Sequence, residues 1–64
     1  MKTYYTLVVK HGDTWCPEFG SYDYETTYDE SSEFQTEPTT IVVTSDEQAD
    51  IDKAIAKLNR TLDN

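Results

Sequence analysis

Several features that this chain lacks limit what it can be. It has one cysteine, Cys16, so it cannot build the disulfide framework of small secreted domains, and a reducing compartment is expected. No apolar run is long enough to cross a bilayer, and the run from Tyr4 to Val9 is too short for the centre of a signal peptide. We therefore expect a cytoplasmic protein without a membrane partner.

Basic residues are also scarce. Twelve of the 13 acidic residues lie between His11 and Asp52, a segment without lysine or arginine, and the formal net charge of the chain is −8. Such a segment repels phosphates, whose neutralisation supplies most non-specific affinity for nucleic acids. We therefore expect no direct binding to DNA or RNA, although five tyrosines and one tryptophan could stack on bases. Anionic membrane surfaces are excluded by the same argument.

The length of the chain favours one small domain over residues 1–64 and disfavours an enzyme. A domain of this size buries about 60% of the surface of its unfolded chain, which leaves little room for a catalytic cavity. The sequence supplies no combination of nucleophile, activated base and oxyanion donor. We therefore predict a protein that is not an enzyme and needs no cofactor.

Metal binding is also not predicted. His11 and Cys16 are each the only residue of their type, whereas a structural zinc site needs four ligands. Asp29, Glu30 and Glu33 could form a carboxylate pair or bind a hard cation. A solvated helix face is the commoner arrangement of such residues, and we favour it.

Two strands are predicted at the start of the chain, over Thr3 to Val9 and Thr14 to Phe19. They are joined by a turn signal, His11-Gly12-Asp13. A two-residue loop would place Lys10 opposite Trp15, whereas a three-residue loop over residues 11–13 pairs Val9 with Trp15 and Tyr5 with Phe19. We predict the three-residue loop because it gives one continuous apolar face.

The opposite face of this hairpin would then carry Tyr4, Thr6, Val8, Cys16 and Glu18. Pro17 cannot donate a main-chain hydrogen bond, so the second strand is predicted at the edge of the sheet, with the first strand inside it.

The remainder of the chain predicts two helices and a third strand. Asp23 is a candidate N-cap for a helix in which Tyr24 and Tyr28 point inward, and the alternative is an acidic, partly ordered loop. Residues 39–44 form a β-type run. The capping box of residues 45–48 then begins a helix. Its apolar residues recur at helical spacing: Ile51, Ala54, Ile55, Leu58 and Leu62.

The element order β-β-α-β-α predicts an α+β fold. A right-handed crossover from the second strand makes the third strand parallel to it, with the first strand between them, which gives a three-stranded sheet of order 2-1-3. Both helices are predicted to pack on one face. The predicted core consists of Tyr5, Leu7, Val9, Trp15, Phe19, Ile41, Val43, Ile51, Ile55 and Leu58, with Tyr28 beneath the first helix.

Two segments of the sequence resemble a known family. They are W-x-P-x-F-G-x-Y-D, from Trp15 to Asp23, and I-D-x-A-I-x-x-L-N, from Ile51 to Asn59. The pattern resembles a family of small uncharacterised proteins encoded by bacteriophages and plasmids of enteric bacteria, and it covers nearly the whole chain. That family has no established activity or catalytic residues. The resemblance implies a mobile-element protein in the bacterial host cytoplasm.

Two functional hypotheses follow. In the first, an acidic surface binds a host protein with a basic surface, which could be one that normally binds nucleic acid. The residues of that surface are Glu25, Asp29, Glu30, Glu33 and Glu37. In the second, the chain forms a structural or accessory homodimer through its uncovered sheet face, with Tyr4, Val8 and Cys16, or through the exposed edge of the third strand.

Overall fold

A computed structural model describes residues 2–61. The elements are β1 (Thr3–His11), β2 (Thr14–Ser21), α1 (Tyr24–Glu30), β3 (Thr39–Ser45) and α2 (Gln48–Thr61). A 3-10 turn, Ser31–Phe34, follows α1. The strand order is β2-β1-β3, and β1 is antiparallel to both neighbours. The predicted α+β class and the order 2-1-3 are therefore confirmed. Within residues 2–61, no helix has the length and apolar character needed to span a bilayer.

The hairpin that joins β1 and β2 has a two-residue loop, Gly12-Asp13, and not the predicted three-residue loop. Gly12 has a φ angle of 64°. A positive φ at the first loop residue is a feature of type II′ turns, whose twist matches that of the flanking strands. As a result Lys10 pairs with Trp15, and Val9 pairs with Cys16. The predicted pairing of Val9 with Trp15 is wrong because the turn geometry sets the register, not the apolar pattern.

A β-bulge at Glu18 changes the register further along β2. Val8 pairs with Pro17 and Leu7 pairs with Phe19, so Glu18 is an additional residue in β2. An extra residue in one strand moves the side chains beyond it to the other face of the sheet. The tryptophan and the phenylalanine of β2, predicted to share one face, therefore lie on opposite faces.

The two helices, predicted on one face, cover opposite faces of the sheet. Ile51 and Ile55 of α2 pack against Val8 on one face. On the other face the ring of Tyr24 in α1 contacts the ring of Tyr5, with 5.6 Å between the ring centroids. Tyr5 and Val8 point to opposite sides because side chains alternate along a strand.

The sequence of the central strand, β1, explains why helices cover both faces of the sheet. Leu7, Val8 and Val9 are consecutive in β1, and all three are 0% exposed. Because successive side chains point to opposite faces, three buried residues in a row need cover on both faces. A continuous apolar run is typical of such a strand, whereas alternation is typical of a sheet with one open face.

Part of the predicted core is buried. Leu7, Val9, Ile51 and Ile55 are buried, and so is Val8, which was expected on an open face. The remaining predicted residues divide into two groups. Half-buried are Tyr5, Trp15, Phe19, Ile41 and Leu58. Exposed are Tyr28, at 61%, and Val43, at 59%. These two are outside the core because α1 packs on β1 and β2 and leaves the β3 side of that face open.

Helix α1 begins at the predicted N-cap. The side chain of Asp23 accepts a hydrogen bond from the Glu25 amide at 3.3 Å and another from the Thr26 hydroxyl at 2.8 Å. The first of these bonds satisfies a main-chain amide that the first turn leaves without a partner, and the second holds the Asp23 carboxylate against that turn. The helix prediction is confirmed, although the regular part ends at Glu30.

Helix α2 is also confirmed, but its first turn differs from the predicted capping box. The Ser45 hydroxyl accepts from the Glu47 amide at 3.3 Å and donates to the Asp50 carboxylate. The Gln48 side chain donates to Asp52 at 2.9 Å instead of returning to Ser45. Leu62, predicted on the apolar face of this helix, lies outside the described residues.

Candidate interaction surface

The two edges of the sheet differ, and the edge formed by β2 is closed. The Trp15 amide donates to Asn59 Oδ1 at 2.7 Å, and Asn59 Nδ2 donates to the Trp15 carbonyl at 3.3 Å. The carboxamide of α2 thus takes the place that a neighbouring strand would occupy. Pro17 has no amide hydrogen to offer, and the bulge at Glu18 interrupts regular pairing. Another strand cannot easily pair with this edge.

One hydrogen bond at the start of β3 shows which way the main-chain N–H and C=O groups of this strand point. The Lys10 amide donates to the Pro38 carbonyl at 2.9 Å. Main-chain polar groups alternate along a strand of an antiparallel pair, pointing first to one neighbour and then to the other. The even-numbered residues of β3 therefore direct their groups to β1. The odd-numbered residues direct theirs to the outer edge.

The outer edge of β3 is open. Within residues 2–61, β3 pairs with β1 alone. In the same part of the chain, no main-chain hydrogen bond from outside the sheet reaches Thr39, Ile41 or Val43. The donors and acceptors of these three residues therefore face solvent along the edge.

Tyrosine side chains line the face beside this edge. Tyr24 and Tyr28 are stacked, with 6.1 Å between the ring centroids and 17° between the ring planes, and they are 49% and 61% exposed. Both rings line a depression of about 350 Å³ whose other wall includes Thr39 and Ile41. An open groove, lined by the two tyrosines, by Ser31 and by residues 39–41, therefore lies beside the first half of β3.

The predicted acidic residues lie on the segment that runs from α1 to the start of β3. Glu25, Asp29 and Glu30 are on α1, Glu33 is in the 3-10 turn, and Glu37 precedes β3. Asp29 and Glu37 together line a second depression, of about 510 Å³. Apart from the ion pairs of His11, residues 2–61 contain no ion pair. The charges on α1 are therefore not neutralised by cations of this part of the chain.

His11 joins two carboxylates. Its Nε2 lies 2.8 Å from Glu18 Oε2, and its Nδ1 lies 2.8 Å from Glu37 Oε2. Both ring nitrogens can donate only when the ring is protonated. The hydrogen bond with Glu18 raises the pKa of His11 above its usual 6.5, partial burial opposes this shift, and the charge of Glu37 adds to it. This ionic link ties the hairpin to the segment before β3.

The predicted dimer face is not a single surface. Val8 is fully buried under α2, with Tyr4 packed against the same cluster. Cys16 pairs with Val9 and therefore points to the side of α1. The turn and the bulge separate residues that an unbroken alternation would have placed together. The face predicted to be open is closed by α2.

The residues considered for metal binding are not brought together. Glu18 and Glu37 bind opposite nitrogens of His11, so the three side chains do not converge on one point. Within residues 2–61, no group of three or more His, Cys, Asp or Glu side chains is placed to hold a metal ion.

Comparisons with protein-family models, with curated proteins and with solved structures give no match to this chain. The resemblance to proteins of bacteriophages and plasmids therefore stays a prediction. In the structure, its two segments meet where Asn59 binds the main chain of Trp15. This contact gives both segments a structural role.

Three features of this surface are not predicted from the sequence: the exposure of Tyr24 and Tyr28, the exposure of Val43, and the contact of Asn59 with β2. The helical spacing of Tyr24 and Tyr28 fits an outward pair as well as an inward one. Val43 follows two β-branched residues in an uncharged strand, which is a signal for an unprotected edge. Nothing local marks Asn59, because its partner lies 44 residues away.

Proposed function

We propose that this chain is a non-enzymatic accessory protein of the mobile-element type, which binds a host protein through the acidic surface of Glu25, Asp29, Glu30, Glu33 and Glu37. Its partner has a basic site, and binding masks that site. One observation carries the proposal: a continuous segment, from α1 to the start of β3, presents carboxylates without lysine or arginine. Uniform charge of this kind steers a partner of opposite charge.

The number of negative charges favours a small electrostatic interface over full imitation of DNA. Duplex DNA carries about one charge per 1.7 Å, so a particle about 25 Å across replaces about fifteen phosphates. The net charge of the chain is −8. The proposed surface therefore matches part of a nucleic-acid-binding site.

A second candidate function is a homodimer formed through the edge of β3. The observation that favours it is the unpaired main chain at Thr39, Ile41 and Val43. The strong negative charge of each copy opposes it. We therefore rank self-association below binding of a basic partner.

Capture of partners from a bacterial lysate at low and high salt tests the acidic surface. The test variant is Glu25→Gln/Asp29→Asn, both exposed on α1. The matched control is Asp13→Asn/Asp52→Asn, which removes the same charge from the hairpin loop and from α2. We expect capture by the wild-type chain to fall with salt, and the test variant to capture far less than the control. Equal capture by both variants, or capture that does not change with salt, would contradict the proposal.

A further inference from the structure

The unequal edges of the sheet indicate where a partner binds. On β2, the Asn59 side chain, Pro17 and the Glu18 bulge each prevent strand pairing. Within Thr39–Ser45, β3 has no charged residue, proline or bulge. An edge left without any of these features is a template for another strand.

The acidic residues on both sides of β3 indicate which kind of strand can pair with its open edge. Glu37 lies just before β3, and Asp46 and Glu47 lie just after it. Antiparallel pairing of two copies centred on Val42 would bring Glu37 of each copy opposite Glu47 of the other. Like charges placed directly opposite each other destabilise a strand pair. A strand with basic ends would instead meet carboxylates at both ends of β3.

We propose that the open edge of β3 accepts an extended segment of another protein as a fourth strand, one with alternating apolar residues and with Lys or Arg at its two ends. The segment bonds to the outward main-chain groups of Thr39, Ile41 and Val43. This inference rests on the proposed function for the identity of the partner, and it adds the position and the mode of binding.

The surroundings of β3 fit such a segment. The seven residues of β3 extend about 23 Å at about 3.3 Å per residue, which is enough to pair with a peptide of similar length. Side chains on the α1 side of that peptide enter the groove beside Tyr28 and Ile41. A basic end near the start of β3 reaches Asp29 and Glu37, which line the adjoining depression, and exposed tyrosine rings also attract cations.

Titration with synthetic peptides, followed by NMR, tests this inference directly. The first peptide alternates Val and Thr over about seven residues, to match the length of β3, and has Lys residues at both ends. The second has Glu in place of Lys. The third has the sequence of the first but is N-methylated at alternate amides, so that it cannot donate to β3. The variant Val43→Pro removes an outward amide and no bond to β1, and Val43→Ala is its matched control.

We expect the Lys peptide to shift the amide signals of Ile41 and Val43 and to bind more weakly as salt increases. N-methylation and Val43→Pro should each weaken binding by about tenfold or more, whereas Val43→Ala should have little effect. The N-methylated peptide tests the same bonds with the unaltered protein, so the inference stays testable if Val43→Pro unfolds.

Several outcomes would overturn the inference. One is the absence of binding at about 1 mM Lys peptide, which corresponds to a very weak complex. Equal binding of the Glu peptide, or equal binding of the N-methylated peptide, would exclude the proposed recognition. A wild-type dimer paired through β3 would make a second copy the occupant. In each case the salt-sensitive capture through Glu25 and Asp29 can still succeed, so failure of this inference is distinct from failure of the proposed function.

Discussion

The carboxamide of Asn59 binds both main-chain polar groups of Trp15, with 2.7 Å from the Trp15 nitrogen to Oδ1 and 3.3 Å from Nδ2 to the Trp15 oxygen. The two residues are 44 positions apart. The pair fixes the last turns of α2 to β2 and satisfies groups that would otherwise be free at the edge of the sheet. An amide side chain suits this task because it contains one donor group and one acceptor.

Replacing Asn59 with alanine should destabilise the protein. Each hydrogen bond contributes about 0.5–1.5 kcal/mol net, so we expect Asn59→Ala to lower the free energy of unfolding by about 1–3 kcal/mol. Urea unfolding followed by the fluorescence of Trp15, the only tryptophan, measures this change. The exposed neighbour Lys57→Ala is the control and should change stability by less than about 0.5 kcal/mol. Equal effects of the two substitutions would show that the Asn59 bonds contribute nothing.

Gly20 is required for space and not for a turn. It lies inside β2, and a Cβ atom at this position would be 2.2 Å from the Tyr4 hydroxyl oxygen and 2.7 Å from Cζ of the ring. We expect Gly20→Ala to cost about 1–3 kcal/mol, the usual range for overpacking. The cost should be much smaller in a Tyr4→Ala background, because the atoms in conflict are then gone. A double-mutant cycle measures the coupling, and strict additivity would argue against the contact.

The ionic link of His11 should make stability depend on pH. The folded-state pKa is raised above 6.5, so its contribution is fully present below about pH 6.5 and is lost as pH rises through the folded value. We expect wild-type stability to fall over that interval and the fall to be absent in His11→Gln. NMR titration of the only histidine gives the pKa directly. A folded-state pKa at or below 6.5 would contradict the geometry.

The sequence places Val43 in the core and Val8 on an open face, whereas the structure shows the reverse. Substitutions at these two residues should therefore have effects opposite to those that the sequence predicts. Val8 is 0% exposed and Val43 is 59% exposed. Removing two methyl groups from a packed core costs about 2–3 kcal/mol, so Val8→Ala should destabilise by that amount. Val43→Ala should change stability by less than about 0.5 kcal/mol. The two denaturation curves test whether α2 buries Val8 and whether Val43 lies beyond the cover of α1, and the reverse order would contradict both assignments.

The sequence predicts the positions of the helices and strands better than it predicts which face of the sheet each side chain lies on. Asp23 and the helical spacing of Ile51 and Ile55 are local signals, and both helices form where these signals indicate. Pro17 correctly indicated an edge strand, which gave the order 2-1-3. These features depend on residues close together in the chain, so they can be read without the tertiary structure.

The faces were harder to predict because they depend on two small features of one hairpin. The loop Gly12-Asp13 sets one register, and the extra residue Glu18 sets another beyond it. Each feature moves side chains to the opposite face. The consecutive apolar residues Leu7, Val8 and Val9 are buried on both faces, which is a pattern different from the alternation that the predicted hairpin assumes.

The candidate surface could be predicted only in part. The acidic residues from Glu25 to Glu37 follow from charge alone. The open edge of β3 depends on which neighbour each strand has, and the closed edge of β2 depends on the distant contact of Asn59. The exposed edge of the third strand follows from the predicted order 2-1-3, whereas no local pattern indicates the contact of Asn59.

The difference between the two edges is tested most directly by amide hydrogen exchange of the free protein, measured by NMR. Ile41 and Val43 should exchange almost as fast as an unstructured peptide, while Val42 between them, bonded to β1, and Trp15, bonded to Asn59, should exchange slowly. Slow exchange at Ile41 and Val43, equal to that of Val42, would contradict the account, because it would mean that the edge of β3 is already covered.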